Sequence, residues 1–197
     1  MSVNRFEILR RQMRAEFPRF TIKPRRSSWL RPVFWLLSKL TGQNASAVTT
    51  TVGSTVYVSD AWDDHSNDGK YAILRHEKVH VAQAHCWPLG RRLWPVNHVL
   101  FGLSYLLILP ILWTLRARFE RAGYTQTLLV QFELYGKISN HQMERNAVWL
   151  AEVFGGAAYI FMWRRRAAYA WAMETQRRIN AGEITNQQDR VEELRAA

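Results

Sequence analysis

One cysteine, Cys86, stands in the whole chain of 197 residues. That excludes an intramolecular disulfide and every cysteine-based zinc framework. A lone thiol of this kind reads as a small buried hydrophobe rather than a nucleophile. The first residues lack the charged-then-apolar order of a secretory signal, so a reducing interior is expected and export by a signal peptide is not. No Gly-rich phosphate loop, internal repeat or low-complexity tract occurs. Acidic residues are scarce as well: 16 Asp and Glu face 27 Lys and Arg, a net charge of +11. The excess is uneven, since residues 1–40 carry eight Arg and two Lys against Glu7 and Glu16, a balance of +8. Such a region suits nucleic acid, an anionic lipid surface or an acidic protein, and equally a solvated face that keeps the chain soluble. Trp29, Phe34 and Trp35 interleave with the charge, but no nucleic-acid-binding motif is present.

What the chain has is apolar mass and one chemical motif. Hydrophobic residues make up 48%, enough for a single domain with a sizeable core. The motif is Leu74-Arg75-His76-Glu77-Lys78-Val79-His80, which contains H-E-x-x-H. Residues four apart share one face of a helix, so His76 and His80 can offer both imidazoles to one metal ion. Glu77, one position round, is badly placed to ligate but can reach a water on that metal. Zn²⁺ brings the pKa of such a water down towards neutrality, where a carboxylate can take its proton. Tyr71, Ile73, Leu74 and Val79, with Val81 and Ala82, supply the apolar positions of a helix packed in a core.

Two protein ligands leave a zinc site incomplete. The pattern H-E-x-x-H-x-x-G-x-x-H fails here, because Gln83 and Cys86 stand where it needs Gly and His. The better third ligand is Glu120, in a second helix-like segment with Gly123 and Tyr124 just after it. Glu133, His141 and Glu144 are reserve candidates. Arg116, one turn before Glu120, is placed to steady its carboxylate or to meet Glu77, or else to form an ordinary surface ion pair. Gln83 and His85 read as groups beside the ligands or on the surface. Tyr124 fits either an oxyanion-stabilising hydroxyl or core packing with a wet tip.

With these residues the chain resembles the gluzincin-type zincin metallopeptidases, in which a Glu on a later helix completes the zinc site and small residues near it let the helices approach. It is similar also to a set of phage and prophage H-E-x-x-H proteins. Their elements here are Val56-Tyr57-Val58, then 74–83, 105–110 and 116–124, so the resemblance covers roughly residues 50–165. It implies an α+β, mostly helical fold: a zincin-like core in which a small sheet lies beside the H-E-x-x-H helix, itself packed on a second ligand-bearing helix. It implies a zinc metallohydrolase, a peptidase, with His76, His80 and Glu120 on Zn²⁺ and Glu77 as general base. The setting implied is a bacterial cytoplasm or a phage virion, with a peptide or protein substrate. In zincins a strand bordering the cleft takes up extended substrate, a role the resemblance offers to 56–59. Two other readings stay open: a basic virion or assembly protein with a structural metal closed by His85 or His98, and a membrane-associated protein built on 93–115.

The organisation expected is a basic N-terminal arm at 1–40, the zincin-like domain at 41–181 and a polar tail at 182–197. Helices are read at 3–16, 29–40, 112–135, 141–153 and 167–181, with a hairpin at 48–59 turning at Gly53-Ser54. The break at Pro24 to Ser28 suggests that the core folds without residues 1–26. Asp60 to Gly69 is an acidic loop lacking the spacing of a calcium site. Residues 93–115 carry no charge and are long enough to span a bilayer, but Pro95, Asn97, His98 and Pro110 count against it. A span would hold His80 and Glu120 about 30 Å apart, against zinc–ligand bonds of about 2 Å, so no transmembrane segment is predicted. A buried hairpin of short helices broken at Pro95 and Pro110 is expected instead.

Overall fold

The computed structural model describes residues 4–17, 19–28, 32, 35, 49–86, 93, 96–100, 110–156 and 162–185, with backbone alone at 110–115. In chain order these form helix α1 (Arg5–Glu16), strand β1 (Thr21–Pro24), strands β2 (Thr50–Val52) and β3 (Thr55–Val58), and helices α2 (Asn67–Cys86), α3 (Pro110–Tyr135), α4 (Asn140–Gly155) and α5 (Arg165–Asn180). Short 3-10 turns lie at Arg25–Ser27 and Asp60–Asp64. The fold is α+β and mostly helical, with one small sheet. The helix expected at 29–40 and the hairpin expected across 93–115 fall largely outside the described residues, as does the tail beyond 185.

Local chemistry accounts for the element ends. The Asn4 side chain accepts from the Glu7 N–H and opens α1; Ser139 does the same for Gln142 at the start of α4. Helix α3 begins on Pro110, whose fixed φ and missing N–H suit a first helical position. Gly53 holds φ +59° in the turn that reverses β2 into β3, with Val52 registered on Thr55.

The sheet order is β1-β3-β2, with β1 parallel to β3 and β2 antiparallel to it. Strand β1 corrects the expectation of a separable arm. It ends in Pro24, tolerable because β1 is an edge strand. Leu9, Met13, Phe17 and Phe20 share one core with Val56, Val58, Leu74 and Val81. Residues 4–17 and 19–28 are thus part of the fold, where the sequence suggested that 1–26 could be removed. Lys78 of α2 also reaches Glu16 of α1 at 2.7 Å.

Helix α3 joins this core to a second one. It gives Val130 to the first and Ala117, Leu128 and Leu129 to the second, where Leu150, Phe154, Ala168, Ala172 and Ile179 of α4 and α5 pack. Helix α2 is buried continuously from Val79 to His85, so the turn that carries His80 sits inside the protein, while His76 one turn earlier is partly buried. Leu74, fully buried two residues before His76, anchors that stretch; truncating such a leucine to alanine costs about 2–5 kcal/mol.

Candidate metal centre

The unbroken helix α2 places His76 and His80 one turn apart, with Nε2 atoms 3.1 Å from each other. Glu120 arrives from α3, its Oε2 lying 3.7 Å from His76 Nε2 and 3.8 Å from His80 Nε2. Among the described residues these form the one group of three ligand-type side chains able to hold a metal ion. The three separations can be tested against an ion. The point equidistant from the three atoms lies about 2.1 Å from each, within the range of zinc bonds to imidazole nitrogen and carboxylate oxygen. Two nitrogens and one oxygen with no fourth protein donor among the described residues are a donor set that suits zinc with an open position.

Backbone shape makes the convergence feasible. A Cβ built on Gly123 would stand 2.7 Å from both Cε1 and Nε2 of His76, closer than any side-chain carbon can sit. Glycine at this position lets α3 lie against the imidazole and carry Glu120, one turn earlier, to its place.

Each imidazole is held from behind. Gln83 Oε1 lies 2.9 Å from His80 Nδ1, and Thr127 Oγ1 lies 3.3 Å from His76 Nδ1. Partners of this kind fix which ring nitrogen faces the metal. The Tyr124 ring stands edge-on to His76 at 4.7 Å between centroids, and edge-on to Trp149 and Phe154 behind it. These are contacts of the ring, which the packing reading and the hydroxyl reading of Tyr124 share. Arg116 is half-buried one turn before Glu120.

Glu77 is buried and stays out of the ligand group. Thr51 Oγ1 donates to its Oε2 at 2.6 Å. Thr51 belongs to β2, and this revises the substrate-strand expectation. Strand β3 is central and hydrogen-bonded on both sides, so it cannot accept another strand; β2 is the edge that touches the site.

Electrostatics follow from burying a carboxylate among imidazoles. Burial opposes the His80 cation, but Glu120 by hydrogen bond and charge, with Glu77 and Gln83, outweighs it and raises the imidazole to about 9. Burial likewise opposes the Glu120 anion, and the two histidines hold its carboxyl well below the usual range all the same. Without metal, Glu120 thus favours the protonated form of His80.

The other candidates go elsewhere. Glu133 pairs with Arg75, Glu144 accepts from the Tyr169 hydroxyl, and His141 is exposed. His85 is not a surface group: it is buried, with Nε2 at 2.8 Å from Ser54 Oγ and its ring edge-on to His98. Cys86 is half-buried rather than buried. Thr51, Thr127 and Arg75 were absent from the sequence reading. Thr127 had a signal, lying four residues after Gly123 on the same helical face.

Compared with known proteins, the chain matches no family model, no curated protein and no solved structure.

No described helix is long and apolar enough to cross a membrane.

Proposed function

We propose that this protein is a zinc-dependent metallohydrolase of the zincin type that cleaves peptide bonds. The observation that carries the reading is the meeting of His76, His80 and Glu120 at one point, with Glu77 beside them and outside the ligand set. His76, His80 and Glu120 would hold the ion. Zinc, when bound, supplies a Lewis acid that polarises a carbonyl and acidifies water. The chain's own groups do the rest. Glu77, anchored by Thr51, takes a proton from the attacking water as its oxygen adds to the peptide carbonyl carbon. It then returns that proton to the leaving amine as the C–N bond breaks. Gln83 and Thr127 keep the imidazoles facing the site, and Arg116 on the Glu120 face is assigned to steadying that carboxylate. Tyr124 is assigned to the oxyanion. An extended substrate would add to β2, the edge strand that bears Thr51.

The resemblance to phage and prophage proteins supplies the proposed setting, a bacterial cytoplasm or a phage virion. Targets there would be capsid or tail proteins, host proteins or peptidoglycan stem peptides. Exposed Arg5, Arg11, Arg14, Arg19, Lys23 and Arg26 would hold the protein on nucleic acid or another anionic scaffold. The absence of a fourth protein ligand among the described residues supports a catalytic site over a structural one.

Zinc content of purified protein, together with digestion of a mixed peptide library, tests the reading. Glu77→Gln should keep zinc and lose cleavage, whereas His76→Ala and His80→Ala should lose both and Glu120→Ala should bind zinc more weakly. Full turnover by Glu77→Gln would remove the general base, and a wild-type protein that takes up no zinc would remove the whole proposal.

A further inference from the structure

Helices α2 and α3 run antiparallel, and their polar pairs follow in order. Tyr71 meets Glu133, Arg75 meets Gln126, His76 meets Thr127, His80 meets Glu120, and Gln83 meets the Phe119 carbonyl. Apolar contact between helices is non-directional and by itself tolerates sliding. Directional bonds do not, and the densest set belongs to Arg75. Its buried guanidinium donates through Nε and Nη2 to Gln126 Oε1 at 3.1 and 2.8 Å. Nη1 donates to the Tyr71 hydroxyl at 2.7 Å, which itself donates to Glu133 at 3.0 Å. Nη2 lies 3.3 Å from Glu133 Oε1, which supplies the counter-charge.

The chemistry proposed above uses none of these groups, yet they flank it. Arg75 precedes His76, and Gln126 precedes Thr127, which meets His76 Nδ1. We propose that Arg75 is a positioning residue for the metal centre: through Gln126 and Glu133 it fixes the register of α3 on α2, and so sets Thr127 against His76 and Glu120 against both imidazoles. The role rests on the metal reading.

Distances show why a register lock matters. Gln126 and Glu120 are six residues apart on α3, about 9 Å, and a slip of one residue moves the carboxylate by about 1.5 Å. A metal site tolerates bond-length errors of only about 0.2 Å. A planar guanidinium whose N–H donors point in fixed directions resists such a slip, where a flexible ammonium would not.

Full-length wild type, Arg75→Met, Arg75→Lys and Gln126→Leu are prepared without metal and titrated with Zn²⁺ against a chelator, and with Co²⁺ for its absorption spectrum. Ring ¹⁵N resonances of His76 are recorded on the metal-free proteins, with thermal stability in parallel. Arg75→Met should weaken zinc binding by about 10- to 100-fold, change the cobalt spectrum and shift the His76 ring resonances. Arg75→Lys should recover part of this, since it keeps a charge for Glu133 but loses the fork. Gln126→Leu should reproduce the defect without deleting a charge, and it decides the matter should Arg75→Met fail to fold. Folded variants with lowered melting temperature but wild-type zinc affinity, cobalt spectrum and His76 resonances would overturn the proposal, leaving Arg75 a structural cation. Should the wild type bind neither ion, the metal reading fails. The His76 resonances still judge the clamp: unmoved in the variants they overturn it, moved they sustain its hold on His76.

Discussion

Gly123 and His76 lie so close that a single added carbon on the glycine would collide with the imidazole at 2.7 Å. The contact sets two effects against each other. In an exposed helix interior, alanine in place of glycine gains about 1 kcal/mol. Here overpacking against a buried ring costs about 1–3 kcal/mol and pushes His76 off its position. We expect Gly123→Ala to lower the melting temperature slightly and zinc affinity by at least tenfold (about 1.4 kcal/mol). Thermal melts and a chelator-competition titration check it; a raised melting temperature with unchanged affinity would show that the helices part without cost.

Thr51 hydrogen-bonds Glu77, which lies outside the candidate ligand group. Thr51→Val keeps the shape and removes the donor, so zinc content should hold while kcat falls about tenfold, as expected when a general base loses the group that orients it. Thr51→Ser should restore most of it. A loss of zinc in Thr51→Val would mean that the strand, rather than the hydroxyl, matters.

Tyr124→Phe separates ring from hydroxyl. The ring keeps its place against His76, Trp149 and Phe154, so metal affinity should stay at the wild-type level. Loss of an oxyanion donor costs about 10²- to 10³-fold in kcat, and that is the outcome expected of the assigned role. Wild-type turnover in Tyr124→Phe leaves the residue a packing group alone.

Stability of the metal-free protein should depend on pH through the buried cluster. His80 is raised from an ordinary 6.5 to about 9, chiefly because Glu120 overcomes the effect of burial. Its contribution is therefore complete below about 6.5 and lost as pH climbs through about 9, at most about 3 kcal/mol. Glu120 has the opposite sense. Its contribution is present above the ordinary carboxylate pKa and disappears only as pH falls well below it. Calorimetry of metal-free protein should show a melting temperature declining between pH 6.5 and 9, with the decline abolished in zinc-loaded protein, where the ion replaces the proton. A flat profile without metal would mean that folding does not raise the imidazole pKa.

The basic region cannot be probed by deletion. Removing residues 1–26 would strip Leu9, Met13, Phe17 and Phe20 from the core together with strand β1. At about 1.5–3 kcal/mol for each buried side chain, that loss rivals the whole stability of a domain. Charge reversal at exposed Arg11 and Arg14 leaves the core alone. If the region holds nucleic acid, a labelled duplex should bind more weakly as salt rises, and Arg11→Glu with Arg14→Glu should flatten that dependence. Salt-independent binding, or none at low salt, would assign these cations to solvation.

The site was legible where its chemistry is local. H-E-x-x-H carries its own spacing, and Glu120 followed from the need for a third ligand, with a small residue beside it. Roles that depend on segments far apart in sequence left no periodic trace: Thr51 serves Glu77, and Thr127 and Gln126 serve α2, only once the chain has folded. Strand β1 hid because it is four residues long, ends in proline and pairs with a strand far along the chain. Sheet order hid for the same reason, and it moved the exposed edge from β3 to β2. His85 looked like one more polar group on a helix, whereas the hairpin turn at Ser54 gives it a buried partner.

The ligands of the centre are split between two helices, and the split has a consequence during synthesis. A ribosome making this chain completes His76, Glu77 and His80 forty residues before it adds Glu120, an interval of about 2–8 s at roughly 5–20 residues per second. Throughout that interval the nascent polypeptide bears a base and two imidazoles but lacks the carboxylate that closes the site. Under the proposed function, such a site is silent while the chain is still an unfolded peptide, and gains cutting power only after the segment that carries Glu120 has docked.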